Sequence, residues 1–175
     1  MNYLGHALLS FGDADILTGN MIGDHVKGKL VLERFPEKIK KGVLLHRKID
    51  HYADVHPATQ RAKLWFRADY GLYAGPLMDT LFDHFLANDA KHFNSETDLL
   101  NFSLSTYKAL EQNRQWFPES FAAYFAYMQQ HNWLYNYRTL PGIQRSMAGL
   151  HRRAGHMPPP EDNGVSYLKV PINVL

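Results

Sequence analysis

Apolar residues recur at helical spacing along most of this chain, and the alternating β-branched runs that are typical of strands are few. Proline and glycine divide the pattern into segments, because proline fits the first turn of a helix but interrupts its interior. Pro36, for example, opens a predicted helix that extends through Tyr52 or beyond. A further helical unit over residues 16–26 is interrupted by Gly19 and Gly23. The sequence therefore predicts an all-α protein whose seven main helices cover residues 3–10, 36–52, 58–70, 76–88, 96–113, 118–130 and 133–150.

The chain has 175 residues, which is enough for one compact domain with its own core. We expect that single domain to cover residues 1–155. The remaining residues, 156–175, include three consecutive prolines and a further Asn-Gly pair, a composition that excludes a long helix. This C-terminal tail is therefore predicted to be extended or poorly ordered.

The composition restricts the chemistry that the chain can perform. It contains no cysteine, so any metal ion has to be held by imidazole and carboxylate groups, which favours Mn, Fe, Mg or Zn. No run of 18 apolar residues predicts a membrane span, and the N-terminus lacks the features of a secretory signal. A cytoplasmic protein without a membrane partner is the expectation.

Basic residues are concentrated between Lys27 and Lys48, where eight of them accompany only Glu33 and Glu37. The segment 76–100 is acidic by contrast, with five carboxylates and one lysine. A basic stretch suits an acidic partner or a phosphate-bearing substrate, although a solvated helix face would have the same composition. The modest net charge and the acidic second segment argue against nucleic-acid binding. The candidate substrate-binding residues in the basic stretch are Lys38, Lys41 and Lys48.

The most informative pair of residues is His46 and Asp50, four positions apart in a predicted helix. Residues at this spacing project from the same helix face, one turn from each other. The two side chains can therefore bind one metal ion together, or Asp50 can orient the His46 ring from behind. A simple surface His–Asp pair is the alternative interpretation.

A second group of polar residues lies in the predicted helix over 76–88. Asp79 and Asp83 share a face, and His84 is turned about 100° away from Asp83. The neighbouring residues are apolar, so the helix is predicted to be largely buried, where a charged group needs a partner. A cation would relieve the repulsion between two carboxylates one turn apart.

Two further candidates come from the beginning of the chain. Gly23 lets the backbone bend or approach a neighbour closely just before Asp24. Asp24 could simply cap a turn, and His6 is by itself more typical of a hydrogen-bonded core histidine than of a metal ligand.

In their order and spacing, these residues resemble the acyl carrier protein phosphodiesterase family, a divergent relative of the HD phosphohydrolases. The resemblance covers roughly residues 1 to 155. It rests on Asn2, Leu4 and His6; on Gly19-Asn20, Asp24, Val26 and Gly28; on Phe35-Pro36; on Gly42, His46-Arg47 and Ile49-Asp50; on Asp54 and Pro57; on Trp65-Phe66-Arg67; on Pro76 and Asp79; and on Asp83-His84-Phe85-Leu86. The Pro-rich tail departs from the further charged helix that is usual in the family.

The resemblance implies an HD-phosphohydrolase-like helical fold, a divalent cation with Mn²⁺ preferred over Mg²⁺ or Fe²⁺, and release of 4′-phosphopantetheine from the serine of holo-acyl carrier protein. Together with the density of imidazole and carboxylate groups, it leads to a hypothesis for one or two metal ions. The candidate ligands are His6, Asp24, His46, Asp50, Asp83 and His84. Asp79 is expected to hold or deprotonate the attacking water, and Arg47 or Lys48 to stabilise charge on the phosphate. The holo-acyl carrier protein would dock on the basic segment 27–48.

The same residues are compatible with two alternative functions. The chain could be an HD-like phosphohydrolase that acts on nucleotides or on another small phosphodiester. It could also be a non-catalytic helical binding module that a metal stabilises, in which case the coordination shell would be closed to water.

Overall fold

The structure, a computed structural model, describes residues 2–154, except for the side chains of Asp69 and of residues 151–154. This part of the chain contains ten α-helices, three 3-10 helices and no strand, which confirms the all-α prediction. The α-helices are α1 Tyr3–Leu8, α2 Ala14–Met21, α3 Lys29–Leu32, α4 Glu37–Val55, α5 Pro57–Tyr70, α6 Ala74–Ala87, α7 Glu96–Gln112, α8 Glu119–Gln130, α9 Trp133–Asn136 and α10 Leu140–Ala154. The 3-10 helices are Gly23–His25, Gly71–Tyr73 and Arg114–Trp116.

The sequence predicts an interruption at Gly19, and this prediction is wrong. Helix α2 passes through Gly19 and continues to Met21. A close crossing of α2 and α4 explains why glycine is needed there. A Cβ atom at Gly19 would lie 2.0 Å from the carbonyl oxygen of Ile39, and one at Gly42 would lie 2.3 Å from that of Ile16. The two backbones are therefore in direct contact, which brings the residue after Gly19 against the middle of α4.

The predicted helix over residues 133–150 is in fact two helices, α9 and α10. The side-chain oxygen of Thr139 accepts a hydrogen bond from the backbone N–H of Gly142 at 3.1 Å, as a helix cap does. Pro141 is the second residue of α10, a position where its missing N–H costs nothing. The chain therefore turns before α10.

One continuous core joins the helices. Leu77 and Leu81 on α6, Leu110 on α7, and Phe121 and Phe125 on α8 are completely buried. Helices α1, α2 and α4 contribute Leu4, Met21 and Ile39 to the same core, and they also carry polar residues of the candidate site.

None of the described helices is both long and apolar enough to cross a lipid bilayer. The predicted tail over residues 156–175 lies outside the described residues. The domain boundary at residue 155 and the HD-like character of the fold stay predictions.

Candidate metal centre

Two buried histidines and one aspartate converge where α1 meets α4. The rings of His6 and His46 stack with their centroids 4.1 Å apart. Nε2 of His6 lies 3.1 Å from one carboxylate oxygen of Asp50, and Nε2 of His46 lies 3.0 Å from the other. Each residue offers one ligand atom, and the three atoms lie within 4.8 Å of one another. The spacing of His46 and Asp50 on α4 places both on the face that meets α1.

Asn20, which follows the α2–α4 crossing, fixes the orientation of both rings. Its side-chain amide donates to the main-chain oxygen of His6 at 2.8 Å and to Oγ of Ser10 at 3.0 Å. Its Oδ1 therefore faces Nδ1 of His6, at 2.8 Å, and its main-chain oxygen lies 2.7 Å from Nδ1 of His46. Both oxygens are acceptors, so each ring carries its hydrogen on Nδ1. The Nε2 atom of each neutral ring then presents a lone pair to Asp50.

This arrangement requires a positive charge between the rings and the carboxylate, because a neutral Nε2 and a carboxylate oxygen are both acceptors. A proton can supply the charge in the absence of metal. Burial by itself lowers the pKa of His46, but hydrogen bonds to Asp24 and Asp50 outweigh it and raise that pKa to about 9. Burial raises the pKa of Asp50, yet the hydrogen bonds from His46 and His6 bring it well below its ordinary value.

A divalent cation can supply the same positive charge. Two stacked imidazolium rings would repel each other, whereas one ion can accept the lone pairs of both Nε2 atoms and of the carboxylate. The donors are nitrogen and oxygen only, as Mn, Fe and Zn sites in proteins commonly have. The residues present therefore fit a metal ion, with His6, His46 and Asp50 as its ligands.

Asp24 approaches this cluster from the 3-10 helix Gly23–His25. Its Oδ1 lies 3.3 Å from Nε2 of His46, and its side chain is 76% exposed. The hydrogen bond from His46 lowers the pKa of Asp24. Gly23 allows this approach, since a Cβ atom there would lie 2.2 Å from Cγ of His46. The close approach that the sequence suggested at Gly23 is therefore made to the His46 ring.

A cleft of about 660 Å³ opens beside the cluster, and His6, His46 and Asp24 form part of its lining. Asp79, on α6, lines the same cleft. Burial raises the pKa of Asp79, and the negative charge of Asp50 acts in the same direction. Asp79 therefore lies in reach of a molecule in the cleft and has a stronger affinity for a proton than an exposed aspartate.

Asp83 and His84, both predicted as ligands, are not brought to the cluster. The carboxylate of Asp83 is fully buried and accepts the backbone N–H groups of Leu4, at 2.7 Å, and Gly5, at 3.1 Å. Burial raises the pKa of Asp83 to about 7. Nδ1 of His84 faces the main-chain oxygen of Tyr137 at 2.7 Å. Asp83 thus caps the start of α1, the helix that carries His6. His84 connects α6 to the segment after α9 by a hydrogen bond.

The predicted basic contacts are only partly available to a substrate. The Arg47 guanidinium donates to the main-chain oxygen of Val26 at 3.0 Å, and Lys38 pairs with Asp13 at 3.0 Å. Lys41 and Lys48 are exposed on α4, and neither forms an ion pair with a residue that the structure describes. Arg47 and Lys48 are not among the residues that line the cleft.

Two features of the site were not predicted from the sequence. The first is Asn20, whose position beside Gly19 in the family pattern was the available signal. The second is the rest of the cleft lining, to which Arg145 and several aromatic side chains contribute. Aromatic residues of this kind are usually core residues, so their pattern alone does not indicate a cleft.

Fold and site together define an all-α protein with a histidine–aspartate site suited to a divalent metal. The sequence model of the acyl carrier protein phosphodiesterase family matches residues 1–169, and the chain belongs to that family. Among proteins so named, that of Yersinia pestis is 30% identical over 154 residues, and that of Escherichia coli O45:K1 is 31% identical over 156. Each match covers 87% of this chain and 79% of the relative. No solved structure matches the chain.

Proposed function

We propose that this protein hydrolyses the phosphodiester that joins 4′-phosphopantetheine to a serine of holo-acyl carrier protein. The products are free 4′-phosphopantetheine and the apo-carrier protein. Membership in the family and the names of the relatives support the substrate. The observation that carries the chemistry is the pair of Nε2 atoms that face Asp50 beside an open cleft.

The proposed ligands of the divalent ion, with Mn²⁺ as the expected metal and Mg²⁺ or Fe²⁺ as alternatives, are His6, His46 and Asp50, with Asp24 as an exposed fourth group. When bound, such an ion polarises a phosphoryl oxygen and lowers the pKa of water. Asn20 keeps both Nε2 atoms directed at the ion by accepting hydrogen from each Nδ1. We leave Asp83 and His84 out of this set because other groups engage them.

Asp79 is the proposed proton acceptor. It lines the cleft with His6 and His46, and its raised pKa makes its carboxylate a better base than an exposed aspartate. In the hydrolysis it would take a proton from the water that attacks phosphorus. As the bond between phosphorus and the serine oxygen breaks, it would pass that proton to the serine oxygen, which leaves as the alcohol.

The basic segment 27–48 is the proposed docking surface for the acidic carrier protein. Lys41 and Lys48 are its available charges on α4, whereas Lys38 and Lys40 already pair with acidic residues. Attraction between exposed charges is screened by salt, so docking should weaken as the ionic strength rises.

The direct test is to incubate the purified protein with holo-acyl carrier protein and Mn²⁺ and to follow the loss of the phosphopantetheine mass from the carrier protein. His46→Ala should abolish release, because it removes one metal ligand. His51→Ala, on the same helix but exposed, is the matched control and should retain activity. Equal activity of the two variants would contradict the assignment of the site.

A panel of nucleotides and small phosphodiesters, assayed under the same conditions, separates the proposal from its nearest rival. Faster turnover of a nucleotide than of holo-carrier protein would replace the proposed substrate while keeping the metal site. If no substrate is turned over although Mn²⁺ binds, the protein is a metal-stabilised binding module instead.

A further inference from the structure

The cleft beside the metal site extends over helices that carry none of the proposed ligands. Tyr124 and Tyr127 on α8 and Trp133 on α9 line it, and we call these three residues the aromatic wall. The Trp133 ring stands at 88° to Tyr124 and at 82° to Tyr127, with centroids 5.0 and 5.6 Å away. Edge-to-face packing of this kind holds the rings in place. Tyr127 is nevertheless 47% exposed, so the wall presents apolar surface to the cleft.

Arg145, on α10, lines the same cleft. It is exposed and forms neither a hydrogen bond nor an ion pair with any residue that the structure describes. Most of its neighbours in the lining from α10 are small, namely Gly142, Ser146, Ala148 and Gly149, and Leu150 is the one large apolar residue among them. This side of the cleft therefore offers a guanidinium group among mostly small side chains.

We propose that the aromatic wall and Arg145 form the binding subsite for the phosphopantetheine arm, an inference that rests on the proposed function. The arm carries a phosphate at one end, followed by a carbon with two methyl groups and by two uncharged amides. A guanidinium binds phosphate oxygens through paired hydrogen bonds, and aromatic faces pack well against branched methyl groups. The cleft volume of about 660 Å³ lies within the range of small-molecule sites.

Recognition of the carrier-protein surface and recognition of the arm predict different behaviour of the free arm. If the enzyme recognises only the surface of the carrier protein, the free arm should not bind. If the cleft recognises the arm, free 4′-phosphopantetheine should bind, and pantetheine, which lacks the phosphate, should bind more weakly.

The test is isothermal titration of the full-length protein, freed of metal with EDTA, with 4′-phosphopantetheine and with pantetheine. Arg145→Gln should weaken the binding of 4′-phosphopantetheine about tenfold, because a hydrogen bond to a charged group is lost, and should leave pantetheine binding unchanged. Tyr127→Ala should weaken the binding of both about fivefold. Arg61→Gln and Leu104→Ala, exposed residues outside the cleft lining, are the matched controls.

Both tested side chains are exposed, so the variants are expected to melt within about 2 °C of the wild type. Failure of the wild type to bind the free arm would overturn the subsite, as would equal binding by Arg145→Gln and Arg61→Gln. Hydrolysis of holo-carrier protein is measured in parallel. Active wild type with unaffected Arg145→Gln and Tyr127→Ala refutes the subsite alone, whereas inactive wild type refutes the proposed function.

Discussion

Replacing Gly23 with alanine tests whether the position of the His46 ring matters, because the change removes no polar group. The added Cβ atom would lie 2.2 Å from Cγ and 2.4 Å from Cδ2 of His46. Ordinary contacts between carbon atoms begin near 3.4 Å. The ring therefore has to move away by about 1.2 Å, the difference between 3.4 and 2.2 Å. The backbone at Gly23 needs no left-handed conformation, so the clash is the only steric penalty.

A displacement of about 1 Å in a catalytic group can lower the rate about a hundredfold. We therefore expect Gly23→Ala to reduce kcat/KM for holo-carrier protein by about two orders of magnitude. The affinity for Mn²⁺, measured by titration calorimetry, should fall about 10- to 100-fold, as for other changes that disturb the orientation of a metal ligand.

The matched control is Gly75→Ala on α6, where the nearest atoms to an added Cβ belong to Lys63 at 3.9 Å. This variant should keep full activity, and its stability should stay within about 1 kcal/mol of the wild type, because the helix propensity of alanine is offset by the restriction that Pro76 places on the residue before it. Wild-type affinity for Mn²⁺ and wild-type turnover in Gly23→Ala would show that the position of His46 does not control the site.

Three further outcomes follow from the site. In EDTA, the stabilisation from the raised pKa of His46 is complete below pH 6.5 and is lost as the pH rises through about 9. The melting temperature should therefore fall over that interval. A melting temperature that does not change with pH there would contradict stabilisation by a proton on His46. Asp83→Ala leaves two N–H groups of α1 unpaired in the core and should cost about 2–4 kcal/mol in urea unfolding, whereas a loss below 0.5 kcal/mol would refute the capping role. Joint Lys41→Gln and Lys48→Gln substitution should raise KM more than it lowers kcat, and the rise in KM should be smaller at high salt. A larger effect on kcat than on KM would rule out docking on α4.

The sequence determined the features that depend on short stretches of chain. Helical spacing and proline placement predict most of the helices, including α4 from Glu37 to Val55. The four-residue separation of His46 and Asp50 places both on one helix face, whatever the rest of the fold does. The absence of cysteine limited the possible metal ligands to imidazole and carboxylate groups.

Tertiary structure alone decided which of the candidate groups meet. Asp83 and Asp50 are both carboxylates on helices, but Asp83 faces backbone N–H groups about 80 residues away in the chain, and Asp50 faces two imidazole rings. The role of Asn20 depends on the backbone contact at the α2–α4 crossing, a packing property that no local pattern encodes. Arg145 likewise reaches the cleft only because the chain turns before α10. Local geometry fixes the direction of a side chain relative to its own helix, and the packing of distant helices determines what that side chain meets.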